Sequence, residues 1–292
     1  MNRRREGITG YIAGGLGNQL FILGAAWEQA ERLGVPLFLD RSHFGVTGTR
    51  GFELDALPTP AQVLGAGESW RSVRISSERV LPLPTRWGRI HLERDADRYS
   101  PSIDSVQPGT TLVGYFQSPR YFPTVGPRLL DVMEGMPETE VEAAALARMR
   151  DEPAVTLHLR RGDYLAVPSD RQFIASVAYA RRALRLLDDL GVRLPVRVFS
   201  DSVDLVRGEL ADVDAQFDFV EDDGSLGIWS TIKAMASGSA MIMSNSSFSW
   251  WAATLMEHRG GSPVIIGPRP WTSGGTAKAD LLAPNWITLD AR

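Results

Sequence analysis

Ala154-Val155-Thr156-Leu157-His158-Leu159-Arg160-Arg161-Gly162-Asp163-Tyr164 joins an apolar run to a cationic, glycine-hinged segment. The apolar and β-branched residues read as a buried strand, and the charge falls where that strand ends. Open α/β sheets bind ligands at the carboxyl ends of their strands, and a guanidinium grips phosphate oxygens bidentately. The stretch therefore predicts a phosphate-binding loop in a fold of alternating strands and helices. A surface salt-bridge cluster is the plainer use of the same residues, because arginine pairs readily with nearby carboxylates.

Outward from this stretch the alternation continues in both directions. A helix from Glu138 to Asp151 precedes it. After it come a helix Arg171 to Leu190, a strand Val196 to Ser200, a helix Ser202 to Leu210 and a strand Gln216 to Val220. A helix Leu226 to Ser237, a strand Ala240 to Ser244 and a helix opening in Ser246-Ser247-Phe248-Ser249-Trp250-Trp251 follow, and Pro263 to Gly267 closes the sheet. In the long helix Phe173, Val177, Ala180, Leu184 and Leu187 recur three or four residues apart, which leaves Arg181, Arg182 and Arg185 as solvated surface. Such order predicts a parallel sheet flanked by helices.

The amino-terminal part begins in the same way, with a strand Thr9 to Ala13, a turn Gly14-Gly15-Leu16-Gly17, a helix Asn18 to Leu33 and a strand Pro36 to Asp40. The stretch from Asp40 to Pro108, rich in Pro, Gly, Ser and Arg, reads as irregular. A strand Thr111 to Tyr115 restores order, and a boundary is expected around Pro123 to Pro127. The expected architecture is α/β, with two Rossmann-like lobes facing a cleft, residues 1–125 and residues 126–292.

A chain of 292 residues suits two domains better than one. A formal charge of −4 argues against a nucleic-acid partner, which would need a clustered basic excess. With no cysteine, thiolate metal sites and sulfur nucleophiles are excluded. Met1 to Glu6 carries three arginines, but Gly7 to Ile12 is too short and glycine-broken for a signal peptide or membrane anchor, so a soluble cytoplasmic protein without a membrane-spanning segment is expected.

Three strand-to-helix junctions carry the chemistry. Gly14 to Gln19 lets backbone N–H groups approach an anion at a helix start, although the spacing is not the full dinucleotide fingerprint and a purely structural turn fits as well. The second junction is the arginine loop. The third, Ser244-Asn245-Ser246-Ser247-Phe248, gathers more hydroxyl and amide groups than one helix cap needs. Asp95-Ala96-Asp97 and Asp212-Val213-Asp214 imitate a metal-binding acidic pair but read as solvated loop charge. No metal is expected. Trp250 and Trp251 read as core; Trp271 and Trp286 could stack on a sugar, with core packing the default.

Together the blocks Gly14 to Phe21, Gly114 to Ser118 with Tyr121-Phe122, His158 to Tyr164, Phe199-Ser200-Asp201 and Ser244 to Trp251 resemble, in order and nearly end to end, the bacterial α-1,2-fucosyltransferases of glycosyltransferase family eleven. The resemblance implies a two-lobed, metal-independent enzyme that moves L-fucose from GDP-fucose to the 2-hydroxyl of a galactose, with inversion. It implies that Arg160 binds the donor pyrophosphate, that His158 lies near the nucleoside, and that Ser246, Ser247 and Phe248 line the nucleotide pocket. Asn18 would face the reacting centre. Gly15, Gly17, Arg161, Asp201 and Asn245 complete the expected donor-binding set. Inversion calls for a general base, for which Asp163 is the candidate; bracing Arg160 or Arg161 is its alternative use.

The chain departs from the family pattern at Thr231, where an acidic partner for guanine is usual, and at Gly238-Ser239-Ala240, which replaces a Cys-Lys-His-like run. Glu221, Asp222 or Asp223 could take over, or the donor could carry another nucleotide 6-deoxysugar. A binding-only protein on the same scaffold and a nucleotide-dependent oxidoreductase are the readings from other classes. Acceptor choice is assigned to the stretch Ser42 to Ser105.

Overall fold

The computed structural model describes residues 6–47, 51–65, 71–76, 79–83, 89–96, 98–162, 175–221, 223–271 and 280–292. The chain divides into two compact units, Met1–Met133 and Glu134–Arg292. Each is built around a parallel sheet with helices between its strands, the α/β class expected from the alternation.

In the first unit β1 (Ile8–Tyr11), α1 (Leu16–Leu33) and β2 (Leu37–Asp40) follow the predicted order. The stretch expected to be irregular contains a short α2 (Phe44–Thr47), β3 (Gln62–Val63), an antiparallel pair β4 (Arg71–Ser76) and β5 (Arg79–Leu83), and β6 (Arg89–Leu92). β7 (Thr110–Val113) completes a five-stranded sheet in the order β3-β2-β1-β7-β6. β3 and β6 are thus the two edges of the sheet, a correction to the sequence reading. Strands β1, β2 and β7 are buried throughout, as a parallel sheet covered on both faces requires. β1 lies beside β2 and β7, with Tyr11 level with Asp40 and Gly10 with Leu112, so its carboxyl end is the switch point of this sheet.

A helix α3 (Val125–Glu134) occupies the expected boundary. Its first turn is held by Glu28 of α1, whose carboxylate accepts N–H bonds from Thr124 at 3.1 Å and Val125 at 2.8 Å and the Thr124 hydroxyl at 2.6 Å. These bonds draw the helix into the first unit and move the division from 125/126 to 133/134.

The second unit runs α4 (Glu140–Asp151), β8 (Val155–His158), α5 (Val177–Asp189), β9 (Val196–Phe199), α6 (Val203–Glu209), β10 (Phe217–Phe219), α7 (Ile228–Met235), β11 (Ala240–Ile242), α8 (Ser247–His258), β12 (Val264–Arg269) and β13 (Ile287–Asp290). All pairings are parallel, in the order β10-β9-β8-β11-β12-β13. This is the doubly wound order whose ligand crevice opens between the first and fourth strands, here β8 and β11. β13 lies outside β12 and closes the sheet, where the sequence reading stopped at Gly267.

The core under β8 is Val155, Leu157 and Leu159 against Tyr179, Ala180, Ala183 and Leu187 of α5 and Val206 of α6. Tyr179 buries its ring and shares its single hydroxyl proton between the carbonyls of Met243 at 2.9 Å and Ile266 at 3.0 Å, tying α5 to the end of β11 and to β12. Arg182 is not simply solvated: it donates to the carbonyls of Asp290, at 2.7 Å, and Arg292. Trp250, Trp251, Trp271 and Trp286 are all buried, so the default core reading of the latter two stands over sugar stacking. Among the described residues no helix is long and apolar enough to cross a membrane.

Candidate functional site

β8 and β11 leave the sheet side by side, because Leu157 is level with Ile242. His158, the last residue of β8, meets Ser244 at once: its Nδ1 lies 2.9 Å from the Ser244 hydroxyl, a bond spanning the switch point. Burial holds the His158 pKa down at about 3, helped by Arg160 and Arg161 and opposed by Asp201. Its imidazole is neutral at working pH. Phe248 tilts toward the His158 ring, with centroids 6.3 Å apart.

The two arginines part company beyond the strand. Strand side chains alternate in direction, and Leu159 and Arg161 both turn toward α5 and α6. Arg161 is 3% exposed; its Nε donates to Glu209 at 2.9 Å, and its Nη1 donates to the carbonyls of Arg160 at 3.1 Å and Ala175 at 3.0 Å. A ligand has no access to it. The donor-binding role expected for Arg161 is therefore corrected to a buried brace. Arg160 turns the other way, its side chain 18% exposed with Nε 3.6 Å from Asp201.

Asp201 follows β9 as Arg160 follows β8, since His158 is level with Phe199. Its Oδ1 accepts the backbone N–H groups of Arg161 at 2.8 Å and Gly162 at 3.0 Å, while Oδ2 faces Arg160. A Cβ on Gly162 would lie 2.6 Å from Oδ2, so the loop can close on the carboxylate only with glycine there. Asp201 thus shapes the cationic loop by holding its backbone and facing Arg160. Asp163, the expected general base, lies outside the described residues.

The β11 loop divides its labour. Ser244 holds His158. Asn245 is buried and ties two segments, accepting the N–H of Ala175 at 3.3 Å and donating to the carbonyl of Trp271 at 3.3 Å. Ser246 is the N-cap of α8 but makes no side-chain cap bond, so the amides of the first turn, from Ser247 and Phe248 onward, are left to solvent or an anion. The hydroxyl of Ser249 in the same turn is fully buried with no hydrogen-bond partner among the described residues. The sequence reading places Ser244 in the third junction without a partner; the register of β8 against β11 is the signal that points to His158.

Asn18, Gly15 and Gly17 lie in the other unit, at the start of α1. Gly15 is the N-cap and Gly17 is buried in the first turn. Asn18 accepts at Oδ1 a bond from Nε2 of Gln117, 2.7 Å away in the β7 loop. That loop is shaped by Glu93, which follows β6 and accepts the N–H groups of Tyr115 at 2.7 Å and Phe116 at 3.0 Å. Gln117 and Glu93 therefore orient Asn18, and neither was assigned a role from sequence.

At the departures from the family pattern, Thr231 donates its hydroxyl to the carbonyl of Gly227 at 3.0 Å, one turn back in α7. Glu221 pairs with Arg207, and Asp223 accepts the N–H of Ser225 at 2.9 Å; Asp222 lies outside the described residues. Glu142 caps α4 and also accepts the N–H of Gly227 at 2.9 Å; bonds to these backbone donors bring its pKa down to about 2. Among the described residues no group of three or more His, Asp or Glu gathers in metal-binding geometry. Asp212, one of the acidic pairs, is bound to Arg181.

The doubly wound parallel sheet with helices between its strands makes the second unit an α/β protein of Rossmann-like type, with a crevice at its switch point. Residues 109–290 match the family described as Glycosyl transferase family 11, and the chain belongs to that family. It is a glycosyltransferase. Among similar proteins, an alpha-1,2-colitosyltransferase of Escherichia coli is 25% identical over 283 residues, covering 90% of this chain and 92% of its own. The O-antigen biosynthesis glycosyltransferase WbnK of Escherichia coli is 30% identical over 138 residues, covering 46% and 44%. Of solved structures, the fucosyltransferase NodZ from Bradyrhizobium is similar with a TM-score of 0.47 at 15% identity, covering 86% of this chain and 93% of that one. POFUT1 in complex with GDP is similar with a TM-score of 0.45 at 13% identity, covering 90% and 99%. Likeness at that level defines neither ligand nor mechanism.

Proposed function

We propose that the chain is an inverting glycosyltransferase that moves L-fucose from GDP-fucose to the 2-hydroxyl of a galactose-type acceptor without a metal. The observation that carries this reading is neutral His158 bound to Ser244 across the β8/β11 switch point, beside the open start of α8, with Arg160 two residues beyond His158 in the loop that Asp201 holds. When the acceptor oxygen bonds to the anomeric carbon, the bond from that carbon to the phosphate oxygen breaks, and negative charge grows on the departing diphosphate. Arg160 and the α8 amides are preorganised donors for that charge, the kind of group worth about 3 kcal/mol of barrier in an oxyanion site. The acceptor proton passes to a general base, which we assign to Asp163. The α-1,2 linkage in the name of the Escherichia coli relative supports the 2-hydroxyl as nucleophile.

A second donor is favoured by that same relative. Colitose is the 3-deoxy analogue of fucose, so GDP-colitose offers the same diphosphate to Arg160. The test is a panel of GDP-fucose, GDP-colitose, UDP-galactose and NAD with and without a galactoside, read as nucleotide release and as the 2-linked product, in buffer with EDTA. Release from a GDP-deoxysugar that EDTA leaves intact is expected. Turnover of UDP-galactose alone, or strict dependence on added Mg²⁺, overturns the assignment.

A further inference from the structure

The geometry points to an acceptor-saccharide subsite on the first unit, formed by Arg41, Phe44, Phe52 and Asp55 and anchored by Gln19. It rests on the transferase reading above and names the residues that would choose the acceptor.

The anchor is the firmest observation. Gln19 follows Asn18 in α1 and is fully buried, and its amide bonds only to backbone. Nε2 donates to the carbonyls of Gly14 at 3.0 Å and Gly51 at 2.9 Å, and Oε1 accepts the N–H of Glu53 at 2.9 Å. A buried amide needs such partners to be tolerated at all. Here they staple the 51–53 segment, thirty-odd residues away in sequence, onto the glycine turn that carries Asn18.

The staple fixes Phe52, which lies between the two bonded residues. Phe52 is half-buried and meets Phe44 edge to face, with centroids 5.9 Å apart. Phe44 in turn packs on His43, and His43 on Tyr11 at the end of β1. The guanidinium of Arg41, at the end of β2, sits 5.8 Å from the Phe52 ring centre and 3.3 Å from Asp55. The loops after β1 and β2 leave the same edge of the sheet, so the cluster is beside Asn18's turn.

The charged rim of this arrangement adds little stability. The Arg41 and Asp55 side chains are 51% and 59% exposed, and a pair so solvated adds at most about 1 kcal/mol. Its chemistry suits a pyranose, which offers a C–H face to an aromatic ring and a rim of hydroxyls to a carboxylate and a guanidinium. Since Asp55 neutralises Arg41, the subsite fits an uncharged saccharide rather than a second phosphate.

The experiment is saturation-transfer NMR with methyl β-galactoside on wild-type protein, Phe52→Ala and Asp55→Asn, alongside acceptor KM at saturating donor, GDP affinity and thermal melting. Loss of the galactoside signal and an acceptor KM raised at least tenfold in both variants, with GDP affinity changed less than twofold, is expected. Equal galactoside binding in wild type and both variants overturns the subsite, and so does a loss that only parallels falling Tm and GDP affinity. Galactoside binding lost in the variants of a protein that turns over no GDP-sugar would uphold the subsite and defeat the transferase reading instead.

Discussion

Asp201→Asn tests whether the cationic loop is held in advance of the ligand. The carboxylate accepts two backbone N–H groups, from Arg161 at 2.8 Å and Gly162 at 3.0 Å, and faces Arg160 at 3.6 Å. Asparagine keeps the volume and an acceptor oxygen but turns two charge-assisted bonds into neutral ones, a loss of about 1 kcal/mol each. The Arg160 contact, partly exposed on both sides, adds at most about 1 kcal/mol. A total near 2 kcal/mol corresponds to a Tm lower by about 4–8 °C for a unit of this size. Scanning calorimetry reads that shift. Donor KM reads the second consequence: Arg160 no longer rests on a carboxylate, and donor KM should rise about tenfold, the equivalent of about 1.4 kcal/mol. A lower Tm with unchanged donor KM would refute the positioning role and leave Asp201 a structural brace. No change in either would refute the loop geometry itself.

Further outcomes follow from the same site. Arg161→Met should cost about 3 kcal/mol in denaturant unfolding, because it breaks a buried pair and strands Glu209 and two carbonyls; a cost below about 1 kcal/mol would contradict the buried brace. His158 has a folded pKa near 3 against 6.5 in the open chain, so the unfolded state binds its proton first and stability falls as pH drops from 6.5 toward 3. His158→Gln should flatten that part of the stability–pH curve, and an unchanged slope would place the imidazole in water. Glu142 acts in the same direction at lower pH: its pKa near 2 against 4.5 gives stability that is present above 4.5 and lost as pH falls toward 2. Glu142→Gln should therefore be less stable than wild type at pH 7 and equal to it near pH 2; a difference that does not depend on pH would remove the capping carboxylate from that role.

The second unit was largely legible because its strands are continuous apolar runs separated by helices of regular period, and its loops carry charge where the runs end. The first unit was less so. β3 is two residues long and β6 four, both are mainly exposed, and both are held by ladder bonds at a sheet edge rather than by an apolar pattern. β13 was missed although Ile287 and Leu289 alternate with exposed neighbours, since so short a half-buried strand looks like a tail. The division between Arg160 and Arg161 was present in the sequence: two-residue alternation from Leu157 and Leu159 sends Arg161 inward. What alternation cannot disclose is the partner. Glu209 for Arg161, Asp201 for the loop amides, Gln117 for Asn18 and Gly51 for Gln19 come from other elements, and only tertiary pairing brings them together.

The central claim is that the diphosphate of the donor is bound where β8 and β11 part, chiefly by Arg160. Titration calorimetry of GDP into wild-type protein and Arg160→Ala measures it directly. Affinity should fall by about tenfold or more, the loss of a hydrogen bond to a charged group, while Tm moves by less than about 2 °C. Equal GDP affinity in the two proteins would contradict it.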